Sequence, residues 1–187
     1  MDSVRGKIAL AAAIVGAALA LSTSSAAAQP VPWGAGCTSI PAEGERTSST
    51  CGASLFDGRA VAPPNAPPEV RAVIAAANRL RHKPYVWGGG HISWSARGYD
   101  CSGAVSYALH GAGLLDVTMV SGQLAYWGEA GVGRWITVYA NAQHVFMEVG
   151  GLRFDTRGDL PGTSGPRWHM GQVADPRGFV ARHPAGL

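Results

Sequence analysis

A glycine-rich loop that runs into a cysteine at the head of an apolar helix constrains this chain most strongly. Tyr85-Val-Trp-Gly-Gly-Gly is followed ten residues later by Asp100-Cys101-Ser102-Gly103. Beyond it Val105, Ala108 and Leu109 share one face of a helix expected over residues 101–112, which Gly111 and Gly113 end. A cysteine in that position meets helix amides with no partner and the positive end of the macrodipole, and both favour the thiolate. A structural cysteine sits more often inside the apolar stripe. The pattern therefore points to a nucleophile.

The chain has 187 residues, but its start reads as a targeting segment. Arg5 and Lys7 precede an apolar run of about fourteen residues, Ile8 to Leu21, and Ala26-Ala27-Ala28 follows. That is the order of a secretory signal, with cleavage expected after Ala28. The run is short for a membrane span, and no later segment approaches one, so no stable anchor is expected after cleavage. Removal of residues 1–28 takes away Asp2, Arg5 and Lys7 and leaves 13 basic and 11 acidic residues, a net charge of +2. So small a charge gives no case for nucleic-acid binding and suits a secreted or wall-associated protein. About 160 residues remain, enough for one domain of ordinary core size, expected as a monomer.

Export and three cysteines favour one disulfide. Cys37 and Cys51 bracket a short polar loop and suit one another, leaving Cys101 as the odd thiol; pairing of Cys101 with either stays open. The spacings typical of zinc sites are missing, and no metal or organic cofactor is implied.

Residues 29–68 read as a disulfide-stapled arm that ends in the stiff segment Ala62-Pro-Pro-Asn-Ala-Pro-Pro. Residues 69–187 read as the functional domain with a Gly/Pro-rich tail that wraps it. Val70, Val73, Ile74, Ala77 and Leu80 predict a helix over 69–81, stopped by Pro84. Residues 123–127 suggest a helical turn. Strands are expected over 135–140, 144–149 and 152–156, the last two joined by Gly150-Gly151 in a primed turn. A two-residue turn pairs Val149 with Leu152, Glu148 with Arg153 and Met147 with Phe154. Val145, Met147, Val149, Leu152, Phe154 and Thr156 then form a core face. His144, Phe146, Glu148, Arg153, Asp155 and Arg157 form a polar one. On it His144 and Asp155 are diagonal neighbours within reach, while Glu148 faces Arg153 as a cross-strand ion pair.

Cysteine-dependent amide cleavage needs a thiolate, an acid–base partner, an orienter for that partner and an oxyanion site. Cys101, His144 and Asp155 fit the first three. The Cys101 amide and the Tyr85 hydroxyl fit the fourth. His91, His110, His169 and His183 read as surface or packing residues, and the tryptophans as core or cleft lining.

The two blocks, Tyr85-x-Trp87-Gly88-Gly89 and Asp100-Cys101-Ser102-Gly103, with a His-Val strand about forty residues on, resemble the NlpC/P60 family of cell-wall cysteine peptidases. The resemblance spans roughly residues 69–157. It implies an α+β papain-like domain, with the nucleophile helix packed on an antiparallel sheet. It matches Cys101 and His144 to the family's nucleophile and histidine, Asp155 to its third polar residue, and Tyr85 to its active-site tyrosine. Asp100 and Ser102 match positions that contact a substrate's free amine. The strand before the histidine opens with Arg134-Trp135-Ile136-Thr137 in place of the family's Gly-Asp-Leu. The implied partner is a peptidoglycan stem peptide and the implied bond D-γ-glutamyl to diaminopimelate. A non-catalytic wall-binding protein on the same fold stays open, as does a cysteine amidase or acyltransferase with another target.

Overall fold

The computed structural model describes residues 52–158, 164–170 and 176–187. The signal segment and the Cys37–Cys51 pair lie outside them. The described elements run β1 (Ser54–Phe56), β2 (Arg59–Val61), α1 (Pro68–Leu80), α2 (Cys101–His110), α3 (Ser121–Leu124), β3 (Glu129–Ala130), β4 (Ile136–Ala140), β5 (Val145–Val149), β6 (Leu152–Arg157), β7 (Ser164–His169) and β8 (Val180–His183). The fold is α+β, with α1 and α2 stacked on one another and α2 lying against β5 and β6.

Local chemistry explains the helices. Pro67 and Pro68 open α1, where a missing amide hydrogen costs nothing, and Glu69 sits in its positive first turn. Its stripe of Val70, Val73, Ile74, Ala77 and Leu80 is buried. The chain leaves the helix three residues ahead of Pro84, whose ring disfavours helical backbone before it. In α2 the side chain of Asp100 caps the Gly103 amide at 2.7 Å.

The larger sheet has the order β3-β8-β4-β5-β6-β7 with every pair antiparallel. The central hairpin has the expected register, Met147 with Phe154, Glu148 with Arg153 and Val149 with Leu152. Gly150 and Gly151 both have positive φ, 57° and 86°, as a primed turn of this hand requires. Val145, Met147, Val149, Leu152 and Phe154 join the helices in one core.

Three features depart from the sequence reading. The segment after residue 157 does not merely wrap the domain; it adds β7 and β8 to the sheet. Pro166 is tolerated because β7 is an edge strand, and β8 is too short to show a period. The Pro-rich stretch before α1 is docked on the core, with Ala66 buried, and β1 and β2 form a hairpin there. Finally, the hairpin's polar face is covered. Phe146 is 1% and Glu148 2% exposed. Phe146 stacks on Tyr139 of β4 and meets Phe179 edge-on, so this face is a second, mixed core. Glu148 lies near the Tyr139 phenol, whose ionisation is pushed up to about 12 by burial and then by the Glu148 charge. The Glu148 side chain is buried, whereas strand alternation alone suggests an exposed face.

Buried Asn78 of α1 ties the N-terminal hairpin and β7 together. Its Oδ1 accepts from the Ala60 amide and from Trp168 Nε1, each at 3.0 Å, and its Nδ2 donates to the Ala60 carbonyl at 2.8 Å. Truncation strands three buried polar groups, each worth about 1–3 kcal/mol when orphaned. Asn78→Ala is expected to lower unfolding free energy by roughly 2–4 kcal/mol in urea titration, allowing for partial rescue by water. A change below about 0.5 kcal/mol would show that this junction does not hold the two segments.

Candidate active site

The nucleophile's position follows from how the glycine loop grips the start of α2. The Asp100 amide donates to the Gly89 carbonyl at 3.1 Å, and the Gly88 amide donates to Asp100 Oδ2 at 3.1 Å. Contact is close enough that a Cβ on Gly103 would stand 2.1 Å from the Gly89 oxygen. Only glycine fits there, which accounts for the residue two places after Cys101. Cys101 itself is half-buried and a free thiol, in the first turn of α2.

The facing wall is β5 and β6. His144 lies just ahead of β5, where Asn141 fixes its backbone: Asn141 Oδ1 accepts from the amides of Gln143 and His144, each at 2.9 Å. The imidazole Nε2 donates to Asp155 Oδ1 at 2.9 Å. The other ring nitrogen is left for Cys101, whose side chain acts on the imidazole electrostatically. Phe179 meets the ring edge-on, with centroids 6.3 Å apart. The His144 and Asp155 side chains are 8% and 4% exposed.

Burial works against charge on both partners, and their contacts outweigh it. Desolvation pulls the imidazole down, but hydrogen bonds to Asp155 and Cys101 and their negative charges push it up to about 9. Burial alone would raise the Asp155 carboxyl. The hydrogen bonds from His144 and the Arg157 amide, with the His144 and Arg153 charges, hold it below its ordinary value. The Tyr85 phenol is raised by desolvation first, then by Cys101 and Asp100, with Arg157 opposing. Tyr85 therefore stands within electrostatic range of Cys101 and keeps its proton as a donor at neutral pH.

The structure thus joins His144 to Asp155 directly and brings Cys101 within electrostatic range of His144 and of Tyr85, which is 40% exposed. Asp100 and Ser102 adjoin them but are turned inward, 9% and 4% exposed, and bonded to one another at 3.1 Å. Three residues here escaped the sequence reading. His91, read as a surface or packing residue, directs Nε2 at both Asp100 oxygens (3.0 and 3.2 Å) and at Ser102 Oγ (3.1 Å). Asn141 stands three residues before His144, a legible turn signal. Phe179 lies in the tail and carried no local signal. His110, by contrast, is a packing residue, stacked on Trp94 with ring centroids 3.9 Å apart. Among the described residues no group of three or more His, Cys, Asp or Glu is disposed to hold a metal ion.

Comparison with solved structures finds similar chains. One is the peptidoglycan hydrolase RipB of Mycobacterium tuberculosis, 28% identical, with a TM-score of 0.47, covering 61% of this chain and 64% of that one. The match thus spans less than two thirds of the RipB chain. Another is RipD of the same organism, a non-catalytic NlpC/p60 domain protein adapted to peptidoglycan binding; it is 22% identical over 63% of this chain and 98% of that one, with a TM-score of 0.45. A third is the resuscitation promoting factor interacting protein RipA in a form mutated at a cysteine, 20% identical over 74% of each chain, with a TM-score of 0.46. No family model matches the chain, and no curated protein does.

The electrostatics set a titration. With its ionisation raised from 6.5 to about 9, His144 stabilises the fold fully below about 6.5, and that contribution is lost as pH rises through about 9. Asp155 has the opposite sense: its contribution is present above the ordinary carboxylate value and lost as pH falls through its depressed one. Imidazole carbon-bound proton shifts should place the His144 midpoint near 9, and Asp155→Asn should lower it by at least about one unit. A parent midpoint near 6.5 would mean that the His144–Asp155–Cys101 line does not exist in solution.

Proposed function

We propose that this chain is an NlpC/P60-type cysteine peptidase that hydrolyses amide bonds in peptidoglycan stem peptides. The carrying observation is the buried 2.9 Å bond between His144 and Asp155, with the Cys101 side chain near enough to act on the same imidazole. The two sequence blocks around Tyr85 and Cys101 support the substrate class, and with it D-γ-glutamyl-diaminopimelate as the favoured bond. On this reading residues 1–28 are removed on export, Cys37 and Cys51 pair, and the mature monomer works outside the cell or at the wall.

Each residue takes a role that its position supports. His144 takes up the proton that Cys101 loses as the sulfur becomes a nucleophile. Cys101 Sγ attacks the amide carbon, and the developing oxyanion takes hydrogen bonds from the Cys101 amide and the Tyr85 hydroxyl. His144 then gives its proton to the leaving nitrogen, the C–N bond breaks, and a thioester remains on Cys101. Water, deprotonated by the now neutral His144, attacks the thioester and returns the thiol. Asp155 keeps the ring oriented through Nε2 and balances the imidazolium charge. Glu148 lies near Tyr139 and is given no part in the reaction.

The test is digestion of purified murein by the mature protein, with released fragments identified by mass spectrometry. New free amines on diaminopimelate are expected. Cys101→Ala should abolish them, and Asp155→Asn should lower turnover by at least about tenfold while leaving the far-ultraviolet spectrum unchanged. Intact murein, or cleavage that survives Cys101→Ala, would contradict the reading. Turnover should also fall as pH rises through about 9, where His144 loses the proton that the leaving amine requires. A profile that still climbs past pH 10 would remove His144 as the acid.

A further inference from the structure

Beside Cys101 lies a second polar cluster that the mechanism above does not use. It is built entirely from the loop before α2 and the first turn of that helix. An ionised carboxylate offers about four lone-pair positions. Asp100 has four donors. The Gly103 amide (2.7 Å) and the Ser102 hydroxyl (3.1 Å) reach Oδ1, the Gly88 amide (3.1 Å) reaches Oδ2, and His91 Nε2 spans both oxygens at 3.0 and 3.2 Å. The Asp100 side chain is 12% exposed and that of His91 19%, so His91 is the more accessible member of the pair. Thr118 holds the His91 backbone through its carbonyl at 3.2 Å.

A carboxylate with four donors on it has little acceptor capacity left for an ammonium group. The leaving amine must lie toward His144, which protonates it. The acyl half of a substrate then has Tyr85, which lies in electrostatic range of Cys101 and Asp100, and the Asp100–His91 pair as its neighbours at the helix start. That side offers neutral donors and an aromatic rim, with the one adjoining acid already shared by His91.

We propose that His91 is a specificity-determining residue that closes Asp100 to cationic groups. The cleft then prefers peptides whose amino end is acylated, as in a stem still attached to the wall, over released peptides with a free amine. This departs from the amine-contacting role that the sequence resemblance gives Asp100 and Ser102, and it rests on the peptidase reading above. His91 acts through Asp100 and is a selector of substrate, not a participant in bond cleavage.

The experiment compares a synthetic L-alanyl-γ-D-glutamyl-diaminopimelate tripeptide with its N-acetyl form. The parent protein is expected to show kcat/KM at least about tenfold higher for the acetylated peptide, a difference carried mainly by KM. His91→Ala, which removes one of the four donors on Asp100, should narrow that ratio to about threefold or less by improving KM for the free amine. His91→Gln, whose amide nitrogen can donate where Nε2 does, should keep the parent's preference. Binding of both peptides to Cys101→Ala is measured alongside by calorimetry. If neither peptide is hydrolysed, the peptidase reading fails, while tighter binding of the acetylated form still supports the selector. Equal or tighter binding of the free amine, no binding of either peptide, or a ratio unmoved in His91→Ala would overturn the role given to His91.

Discussion

The hydrogen bond between His144 and Asp155, 2.9 Å long and buried, is the constraint on which the site depends. It joins two neighbouring strands, so it exists only in one register. The Gly150-Gly151 turn sets that register. A slip of one residue would turn His144 away from Asp155 and drive Arg153 and Asp155 into the aliphatic core. The packing that buries Met147, Val149, Leu152 and Phe154 against the helices is thus also what aligns the imidazole. Fold stability and site geometry share one cause, which is why the charges can be held where burial opposes them.

The nucleophile is placed by a different device. Asp100 caps α2 and at the same time pulls the loop of Gly88 and Gly89 onto the helix start. A glycine at 103 makes that approach possible. One wall of the cleft is therefore a loop clamped by hydrogen bonds, and the other is a sheet fixed by apolar packing. They meet because α2 lies on β5 and β6. A wall held by a polar clamp can vary in the residues it presents, as His91 does, without disturbing the alignment of Cys101 with His144.

Much of this was legible in the sequence, and the reasons are specific. Helix α1 and the β5–β6 hairpin declare themselves by period, by proline and glycine boundaries and by a turn type that fixes pairing. From that pairing alone His144 and Asp155 come out as neighbours. What escaped lacks a local signature. Strand β8 is four residues long and pairs with strands fifty and forty residues back. Strand β7 contains proline. The burial of Glu148 depends on Tyr139 and Phe179, which come from outside the hairpin, so alternation alone leaves that face looking solvent-exposed. His91 reaches Asp100 only because the intervening loop folds back on the helix, a curvature that nine residues of irregular chain do not announce.

The account stands or falls on whether the Cys101 sulfur becomes covalently joined to the acyl half of a murein peptide. Rapid acid quenching of the mature protein with purified stem peptide, followed by intact-mass and fragment analysis, tests this directly. The account expects a transient adduct with the mass of the acyl fragment, located on Cys101, lost on treatment with hydroxylamine and longer-lived when deacylation is slowed at low pH. Cleavage of the peptide with no adduct at any time point, or an adduct on another residue, would contradict it.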